Sequence, residues 1–259
     1  MARFVVAIIQ ARMGSTRLPG KTMADIAGKP LLAHVIQRVR ASQTVQKVVV
    51  ATTSEPIDEP IERLSQECGA STYIGSTEDV LDRYYQAAKM AGAEIIVRVT
   101  ADDPFKDPVV IDEVAGRLVA DTLLDYASNT LEPTYPEGLD IEVFTSAALE
   151  RAWKEATLPS DREHVTPYIW RNPESFRVLS IRRSPDLSSL RWTIDYEPDL
   201  RLAREVYARL YHGQVFQMPE ILALLAAEPW LADINRGVKR NVGYLASLEK
   251  ERSGRATPD

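Results

Sequence analysis

The chain opens with a short apolar segment that leads directly into a basic, glycine-containing loop. The run from Phe4 to Ile9 is typical of a buried β-strand, and residues 10–21 read Gln-Ala-Arg-Met-Gly-Ser-Thr-Arg-Leu-Pro-Gly-Lys. Glycines such as Gly14 and Gly20 let backbone amides approach an anion closely, and the arginines and lysine balance phosphate charge. The loop therefore predicts a polyphosphate site. The candidate ligands in this segment are Gln10, Ala11, Arg12, Gly14, Ser15, Arg17 and Lys21.

Two common nucleotide-binding loops do not fit this segment. A Walker A loop has four residues between its first glycine and Gly-Lys-Ser/Thr, whereas five residues, 15–19, separate Gly14 from Gly20 here. No helix is predicted directly after the loop, and the dinucleotide motif Gly-x-Gly-x-x-Gly is absent. A P-loop kinase and a nicotinamide or flavin enzyme are therefore disfavoured. A solvated basic surface loop is the remaining structural alternative.

Composition limits the partners of the chain. Its 259 residues carry 31 basic and 37 acidic side chains, a formal charge of −6, which disfavours a nucleic-acid partner. The single cysteine, Cys68, cannot form an internal disulfide, and we expect it to be buried in a helix. No apolar stretch is long enough to span a membrane, and no signal-peptide pattern is present. We therefore expect a soluble, cytoplasmic protein with no membrane partner.

Strand-like and helical segments alternate along the first half of the chain. This order predicts an α/β fold with a mostly parallel sheet, helices on both faces and ligands at the carboxyl ends of the strands. Thr52, Gly75, Ser76 and the segment 100–103 follow predicted strands and should meet the basic loop at one edge. We expect residues 1–125 and 190–249 to form the nucleotide-binding core. Residues 126–189, with shorter strands, should form a smaller lobe, and residues 250–259 a flexible tail.

Two aspartates at predicted strand ends are candidate ligands of Mg²⁺. Asp102 follows the strand 95–99, and Asp195 follows the strand-like run 190–194. Mg²⁺ is bound through one or two carboxylates together with substrate phosphates, so a pair from distant segments would suit it. Asp195 could equally cap the next helix, and Asp103, before a proline, could simply shape a turn.

Polar residues of the second lobe are candidates for binding an acceptor. The turn and strand at 135–142 bring together several carboxylates, and the helix entry at 161–168 is the most polar of this lobe. A solvated loop and a structural histidine are the alternatives. The candidate acceptor ligands are Arg98, Tyr135, Glu137, Asp140, Glu142, His164 and Arg191.

The loop 10–21 and its preceding strand resemble those of the cytidylyltransferases that make CMP-activated sugar acids, including the KDO and acylneuraminate synthetases. Within that family the chain is most similar to the branch of the spore coat polysaccharide biosynthesis protein SpsF. The likeness covers nearly the whole chain. It extends over residues 49–53, 75–85, 128–130, 135–144, 161–169 and 191–200.

The resemblance implies a Rossmann-like, GT-A-like nucleotidyltransferase fold with a small α+β dimerisation lobe. It implies that Arg12, Ser15, Arg17 and Lys21 face the triphosphate of CTP, and that Asp102 and Asp195 hold Mg²⁺. Gly75 and Ser76 would lie near the base and ribose, and residues 161–168 of a homodimer would reach toward the partner's site.

One departure from the family pattern is visible. The SpsF branch usually reads Thr-Gly-Asp-Cys-Pro where this chain has Thr100-Ala101-Asp102-Asp103-Pro104. Ala101 removes the conformational freedom of glycine and Asp103 adds a charge, so metal binding or the approach of the sugar could differ.

We expect CMP transfer from CTP to a sugar or sugar-acid hydroxyl, with Arg12, Lys21, Asp102 and Asp195 as catalytic residues. Two alternatives stay open at this point. A glycosyltransferase that uses a nucleotide sugar would also place aspartates and Mg²⁺ beside a diphosphate, although three cations suit a triphosphate better. A noncatalytic nucleotide-binding protein would be favoured if the changes at Ala101 and Asp103 abolish metal binding.

Overall fold

The first strand of the chain lies inside a seven-stranded sheet and delivers the basic loop at its carboxyl end. The computed structural model describes residues 3–238, 240 and 242–255. The strands are β1 Val5–Gln10, β2 Asp25–Ile26, β3 Lys29–Pro30, β4 Lys47–Thr53, β5 Ser71–Gly75, β6 Ile95–Thr100, β7 Tyr126–Ser128, β8 Glu142–Thr145 and β9 Val178–Ser180. The helices are α1 Leu31–Arg40, α2 Glu59–Glu67, α3 Val80–Ala91, α4 Pro108–Ala120, α5 Ser146–Glu155, α6 Pro159–His164, α7 Pro167–Trp170, α8 Glu197–Leu210, α9 Met218–Ala227, α10 Trp230–Asp233 and α11 Val242–Arg255.

The sheet is mostly parallel, as the alternation of elements predicts. Its order is β5-β4-β1-β6-β8-β7-β9, with β8 antiparallel to both of its neighbours and β2 pairing only with β3. Gln10 lies opposite Ala51 of β4 and Thr100 of β6. The carboxyl ends of three adjacent strands therefore meet at one place, which gathers the loops that follow them.

Helices cover both faces of the sheet, which is why the inner strands are apolar throughout. Val5, Ala7 and Ile9 of β1 pack in a core with α1, α4 and α8, whereas Val6 and Ile8 pack in a second core with α3 and α5. All five side chains are at most 1% exposed. Burial on both sides favours continuous apolar strands over alternating ones.

Local sequence accounts for several helix boundaries. The carboxylate of Asp107 accepts the N–H of Val109 at 2.8 Å at the start of α4, where Pro108 occupies the first turn. The segment that contains the predicted helix entry at 161–168 forms two short helices, α6 and α7. Pro167 cannot continue a helix, and Val165 between the two has φ 72°, an unfavourable value for a β-branched residue.

Three organisational features differ from the sequence-based expectations. Residues 126–189 contribute β7, β8 and β9 to the same sheet as the core. Residues 190–194 form no strand and make only an isolated bridge between Arg191 and Glu137. The predicted tail begins inside α11, which continues to Arg255, and residues 256–259 lie outside the described residues. Cys68 follows α2 and is only half-buried.

None of the helices in the described ranges is long and apolar enough to cross a membrane.

Candidate functional site

The basic loop is held in place by hydrogen bonds to its own backbone. The hydroxyl of Thr22 donates to the carbonyl of Arg12 at 2.9 Å, and Asp58 accepts the N–H of Met13 at 2.6 Å. Gly20 has φ 72°, a conformation that favours glycine, whereas a Cβ at Gly14 would meet no atom within 4 Å. The loop enters a single 3₁₀ turn, Lys21–Met23, before β2. This geometry differs from that of a P-loop, in agreement with the spacing argument.

Lys21 joins the two predicted metal-binding aspartates. Its Nζ lies 2.7 Å from Oδ2 of Asp102 and 2.9 Å from Oδ1 of Asp195, and it also donates to the carbonyl of Ile194 at 2.7 Å. The N–H of Ile194 donates in turn to the carbonyl of Asp102 at 2.9 Å, which fastens the two distant segments together. Asp102 and Asp195 therefore both contact one ammonium group.

Asp195 is surrounded by positive charge and does not cap the following helix. Arg17 lies 2.5 Å from its Oδ1 and Arg191 lies 3.0 Å from its Oδ2, in addition to Lys21. The backbone N–H groups at the start of α8 are accepted by Asp199, at 3.0 Å from both Asp195 N and Tyr196 N. The alternative that Asp195 is a helix cap is therefore wrong.

The ion pairs determine the protonation of Lys21 and Asp102. Burial alone lowers the pKa of Lys21, but the attraction of Asp102 and Asp195 outweighs it and the net shift is upward. Burial also opposes charge on Asp102, yet Lys21 lowers the pKa of Asp102 to about 2. Lys21 is thus a cation and Asp102 an anion at neutral pH.

Asp103, the unusual acid of this chain, is buried and paired with Lys106, and it lines the carboxylate cavity beside Asp102. Burial raises its pKa to about 6, partly offset by Lys106, whose Nζ lies 2.8 Å away, and the Thr100 hydroxyl donates to it at 2.7 Å. Its side chain is only 5% exposed. Ala101 does not have positive φ, so this backbone does not require glycine. The two changes are accommodated without disturbing the contact between Asp102 and Lys21.

Three neighbouring cavities surround these residues. The loop cavity, of about 440 Å³, is lined by most of the predicted phosphate ligands. The carboxylate cavity, of about 230 Å³, is lined by Asp102, Asp195 and several acids of the β8 side. The His164 cavity, of about 830 Å³, is lined by Arg12, Arg83 and His164 among others. The predicted residues that line the loop cavity are Gln10, Ala11, Arg12, Ser15, Arg17, Lys21 and Asp102.

Four predicted nucleotide ligands line none of the three cavities: Gly14, Thr52, Gly75 and Ser76. Thr52 is 1% exposed. The Ser76 hydroxyl accepts the N–H of Asp79 at 3.0 Å near the start of α3. A Cβ at Gly75 would come within 2.7 Å of the Tyr73 ring, so glycine permits close packing there. Because β5 is the edge strand, two strands from β1, its end is farther from the loop than the sequence suggested.

Five of the seven candidate acceptor ligands line a cavity, and two do not. Arg98, Glu137, Asp140 and Glu142 line the carboxylate cavity, and His164 lines the cavity named after it. Tyr135 and Arg191 line none of the three cavities. Tyr135 is 2% exposed and donates to Glu113 at 2.9 Å, and Arg191 pairs with Glu137 at 2.6 Å and with Asp199 at 3.1 Å. Both are structural, because buried polar groups find partners within the fold.

His164 and Glu142 have well-defined partners. The Nε2 of His164 lies 3.0 Å from the Ser247 hydroxyl, and burial, reinforced by Arg98, lowers the pKa of His164. Glu142 pairs with Arg98 and accepts the hydroxyls of Tyr126 at 2.7 Å and Thr166 at 2.5 Å. Although burial raises the pKa of Glu142, these partners lower it overall.

The variant Glu142→Gln is expected to destabilise the protein by about 3–5 kcal/mol near neutral pH, because it leaves Arg98 with an uncompensated buried charge. The pKa of Glu142 in the folded protein lies below its ordinary value of 4.5. The charge of Glu142 therefore stabilises the fold fully above pH 4.5, and this stabilisation is lost as the pH falls through the folded-state pKa. Denaturant unfolding of both proteins at pH 7 and pH 3.5 measures this. A stability difference that does not shrink in acid would contradict it.

The sequence analysis missed the contribution of α11 to the site. Gly243 and Ser247 of this helix line the loop cavity, as does Glu163 of α6. The available signal was the spacing of small residues at 243, 246 and 247, which places them on one helical face.

Comparisons with known proteins found a matching family profile and several similar proteins. A family profile described as cytidylyltransferase matches residues 6–220. The spore coat polysaccharide biosynthesis protein SpsF of Bacillus subtilis is 32% identical, over 87% of this chain and 95% of SpsF. A 3-deoxy-manno-octulosonate cytidylyltransferase of Anaeromyxobacter dehalogenans is 30% identical, over 87% of this chain and 99% of that enzyme. The structure of a cytidylyltransferase from Leptospira borgpetersenii superimposes with a TM-score of 0.86 at 31% identity and covers 92% of this chain and 100% of the other.

Proposed function

Because the chain belongs to the cytidylyltransferase family, we propose that it transfers CMP from CTP to a hydroxyl of a sugar or sugar acid, with release of pyrophosphate. The observation that carries this proposal is the contact of Lys21 with both Asp102 and Asp195. Arg12 and Arg17 line the same cavity as Lys21, so the charges that triphosphate chemistry needs surround one space. The likeness to SpsF supports a place in the synthesis of a surface polysaccharide.

The two aspartates suit a magnesium ion. The ammonium of Lys21 lies within 2.9 Å of an oxygen of each aspartate, so both carboxylates can bind one cation at the same time. In the described ranges of the chain no group of three or more His, Cys, Asp or Glu residues is arranged for a metal. A metal here would therefore depend on phosphate and water for its other ligands, as Mg²⁺ commonly does. When bound, Mg²⁺ would polarise the α-phosphate.

The loop residues provide the electrostatic part of the reaction. Arg12, Arg17 and Lys21 would orient the triphosphate and neutralise the charge that develops on the departing pyrophosphate. Asp102 lines both the loop cavity and the carboxylate cavity, so it stands between the two proposed substrates. We assign no general base.

The carboxylate cavity is the proposed acceptor site. Glu137, Asp140 and Glu142 line it beside Asp102 and Asp195, and carboxylate oxygens are strong acceptors for the hydroxyls of a sugar. The cation at this cavity, Arg98, is already paired with Glu142.

A homodimer stays a prediction. Glu163 and His164, from the segment expected to reach a partner's site, line cavities of their own chain. Asp161 is 1% exposed and is bound by Arg171, so it is not presented to a second subunit.

Pyrophosphate release from each of the four nucleoside triphosphates, measured with Mg²⁺ and a panel of sugars and sugar acids, tests the proposed function. We expect release with CTP and at least one acceptor, and little with the other triphosphates. Release of UDP from a UDP-sugar instead would identify a glycosyltransferase. Calorimetric binding of CTP that is indifferent to Mg²⁺, with no turnover, would indicate a noncatalytic nucleotide-binding protein.

A further inference from the structure

The C-terminal helix α11, Val242–Arg255, lies against the loop cavity although it comes after the matched family region, residues 6–220. Four of its cavity-lining residues are Gly243, Ala246, Ser247 and Lys250. Successive members of this group are three, one and three positions apart in the sequence, which places all four on a single helical face. That face lines the cavity together with residues of the basic loop.

Contacts with α6 and the β7–β8 connection hold the helix in this position. The hydroxyl of Ser247 donates to Glu163 at 2.7 Å and lies 3.0 Å from His164. The ring of Tyr244 meets His164 edge-on, with centroids 5.1 Å apart. Arg240, just before the helix, bonds to Asp140 and to the carbonyl of Tyr135. Helix α11 is therefore attached to α6, and the residue Arg240 before it is attached to the β7–β8 connection.

Lys250 adds a positive charge to the face of α11 that lines the loop cavity. It lines the loop cavity together with Arg12, Arg17 and Lys21. Lys21 is bound to two aspartates, whereas Lys250 forms no salt bridge within the part of the chain that the structure describes. The carboxylates that line this cavity, Asp102 and Glu163, have partners in Lys21 and Ser247. The charge of Lys250 is thus available to an anion in the cavity.

We propose that α11 completes the nucleotide site and that Lys250 contributes a fourth cation to the triphosphate of CTP. This inference rests on the proposed function, since it takes CTP as the occupant of the loop cavity. It places a triphosphate between two walls: the loop supplies three cations from one side, and the helix supplies one from the other.

Gly243 gives the helix a second role in the site. It lines all three cavities, and a Cβ built on it would meet no atom within 4 Å. Because Gly243 lines both the loop cavity and the carboxylate cavity, we take the space beside it as the passage between the two substrates. A larger residue would project into this passage, and its Cβ would clash with no atom of the fold.

Calorimetric titration of the full chain with CTP and with CMP, in the presence of Mg²⁺, tests the role of Lys250. Lys250→Ala is expected to weaken CTP binding about tenfold, since a hydrogen bond to a charged group is lost. CMP binding should change little, because CMP lacks the β- and γ-phosphates. Lys250→Arg should restore most of the affinity for CTP.

Arg252→Ala provides the matched control. Arg252 is an exposed cation of the same helix. It lies two positions after Lys250, a rotation of about 200° around the helix axis, and therefore points to another side of the helix. It should leave the affinity for both nucleotides unchanged. Equal CTP affinity in wild type and Lys250→Ala would overturn the inference, as would equal losses for CTP and CMP. A wild-type chain that binds no CTP would instead overturn the proposed function.

Gly243→Leu tests the passage with a readout that does not depend on charge. We expect transfer to the acceptor to fall at least tenfold at saturating CTP, with the thermal midpoint retained. The control is Gly116→Leu in α4, where a Cβ also meets no atom within 4 Å. Unimpaired transfer by Gly243→Leu would show that α11 does not border the path between the substrates.

Discussion

Replacing Lys21 by alanine is expected to lower pyrophosphate release from CTP by about 100-fold or more. Lys21 is the cation that touches both Asp102 and Asp195, and it lines the cavity proposed for the triphosphate. Without it, the charge on the departing pyrophosphate loses a stabilising partner fixed in position. Turnover under saturating CTP and acceptor, at constant Mg²⁺, measures the loss.

The controls for this variant separate catalysis from folding. Lys89→Ala removes an exposed lysine from the end of α3 and should keep wild-type turnover. Because Lys21 is itself buried, circular dichroism and CTP binding of Lys21→Ala establish whether the fold is intact, and Lys21→Arg offers a milder change that keeps the charge. A well-folded Lys21→Ala protein with wild-type turnover would show that Lys21 takes no part in the reaction.

Asp102→Asn is expected to reduce turnover by about 100-fold or more and to weaken its dependence on Mg²⁺. Asparagine preserves the shape of the side chain but removes the negative charge that one metal ion would share between Asp102 and Asp195. Initial rates over a range of Mg²⁺ concentrations measure both effects. The fold should tolerate the change, because the Asp102 side chain keeps 26% of its surface exposed.

Asp186→Asn is the corresponding control, since Asp186 lies on an exposed loop and accepts the nearby N–H of Ser188 at 2.8 Å. It should leave both the rate and the Mg²⁺ response unchanged. An Asp102→Asn protein with a wild-type Mg²⁺ response would place the metal elsewhere.

The centre of the site could be predicted because it depends on the order of the strands. Carboxyl ends of adjacent parallel strands meet, so the loop after β1 and Asp102 after β6 had to be neighbours. Asp195 also lies at this point, but not at the end of a strand as expected. The segment before it forms no strand, and a hydrogen bond from Ile194 to Asp102 holds it there.

The outer parts of the site could not be read from the sequence, because long-range packing decides which side chains face a cavity. Tyr135 and Arg191 have the chemistry of ligands, yet their hydroxyl and guanidinium groups are taken by Glu113 and Glu137. Gly75 was expected to follow a strand, but it is the last residue of β5, and that strand is at the edge of the sheet.

Lys250, in contrast, was not predicted as a ligand although it lines the loop cavity. It lies in a polar C-terminal sequence with little apolar periodicity, where a frayed tail is the usual expectation. Helix α11 is positioned largely by polar and aromatic contacts to α6, through Ser247 and Tyr244, and these leave a weak signal in a single sequence.

A crystal structure with Mg²⁺ and a CTP analogue that cannot be cleaved at the α-phosphate tests the central claim most directly. We predict the triphosphate in the loop cavity, in contact with Arg12, Arg17 and Lys21, and the metal bound by Asp102 and Asp195. A nucleotide bound outside this cavity, or a metal held by neither aspartate, would contradict the account.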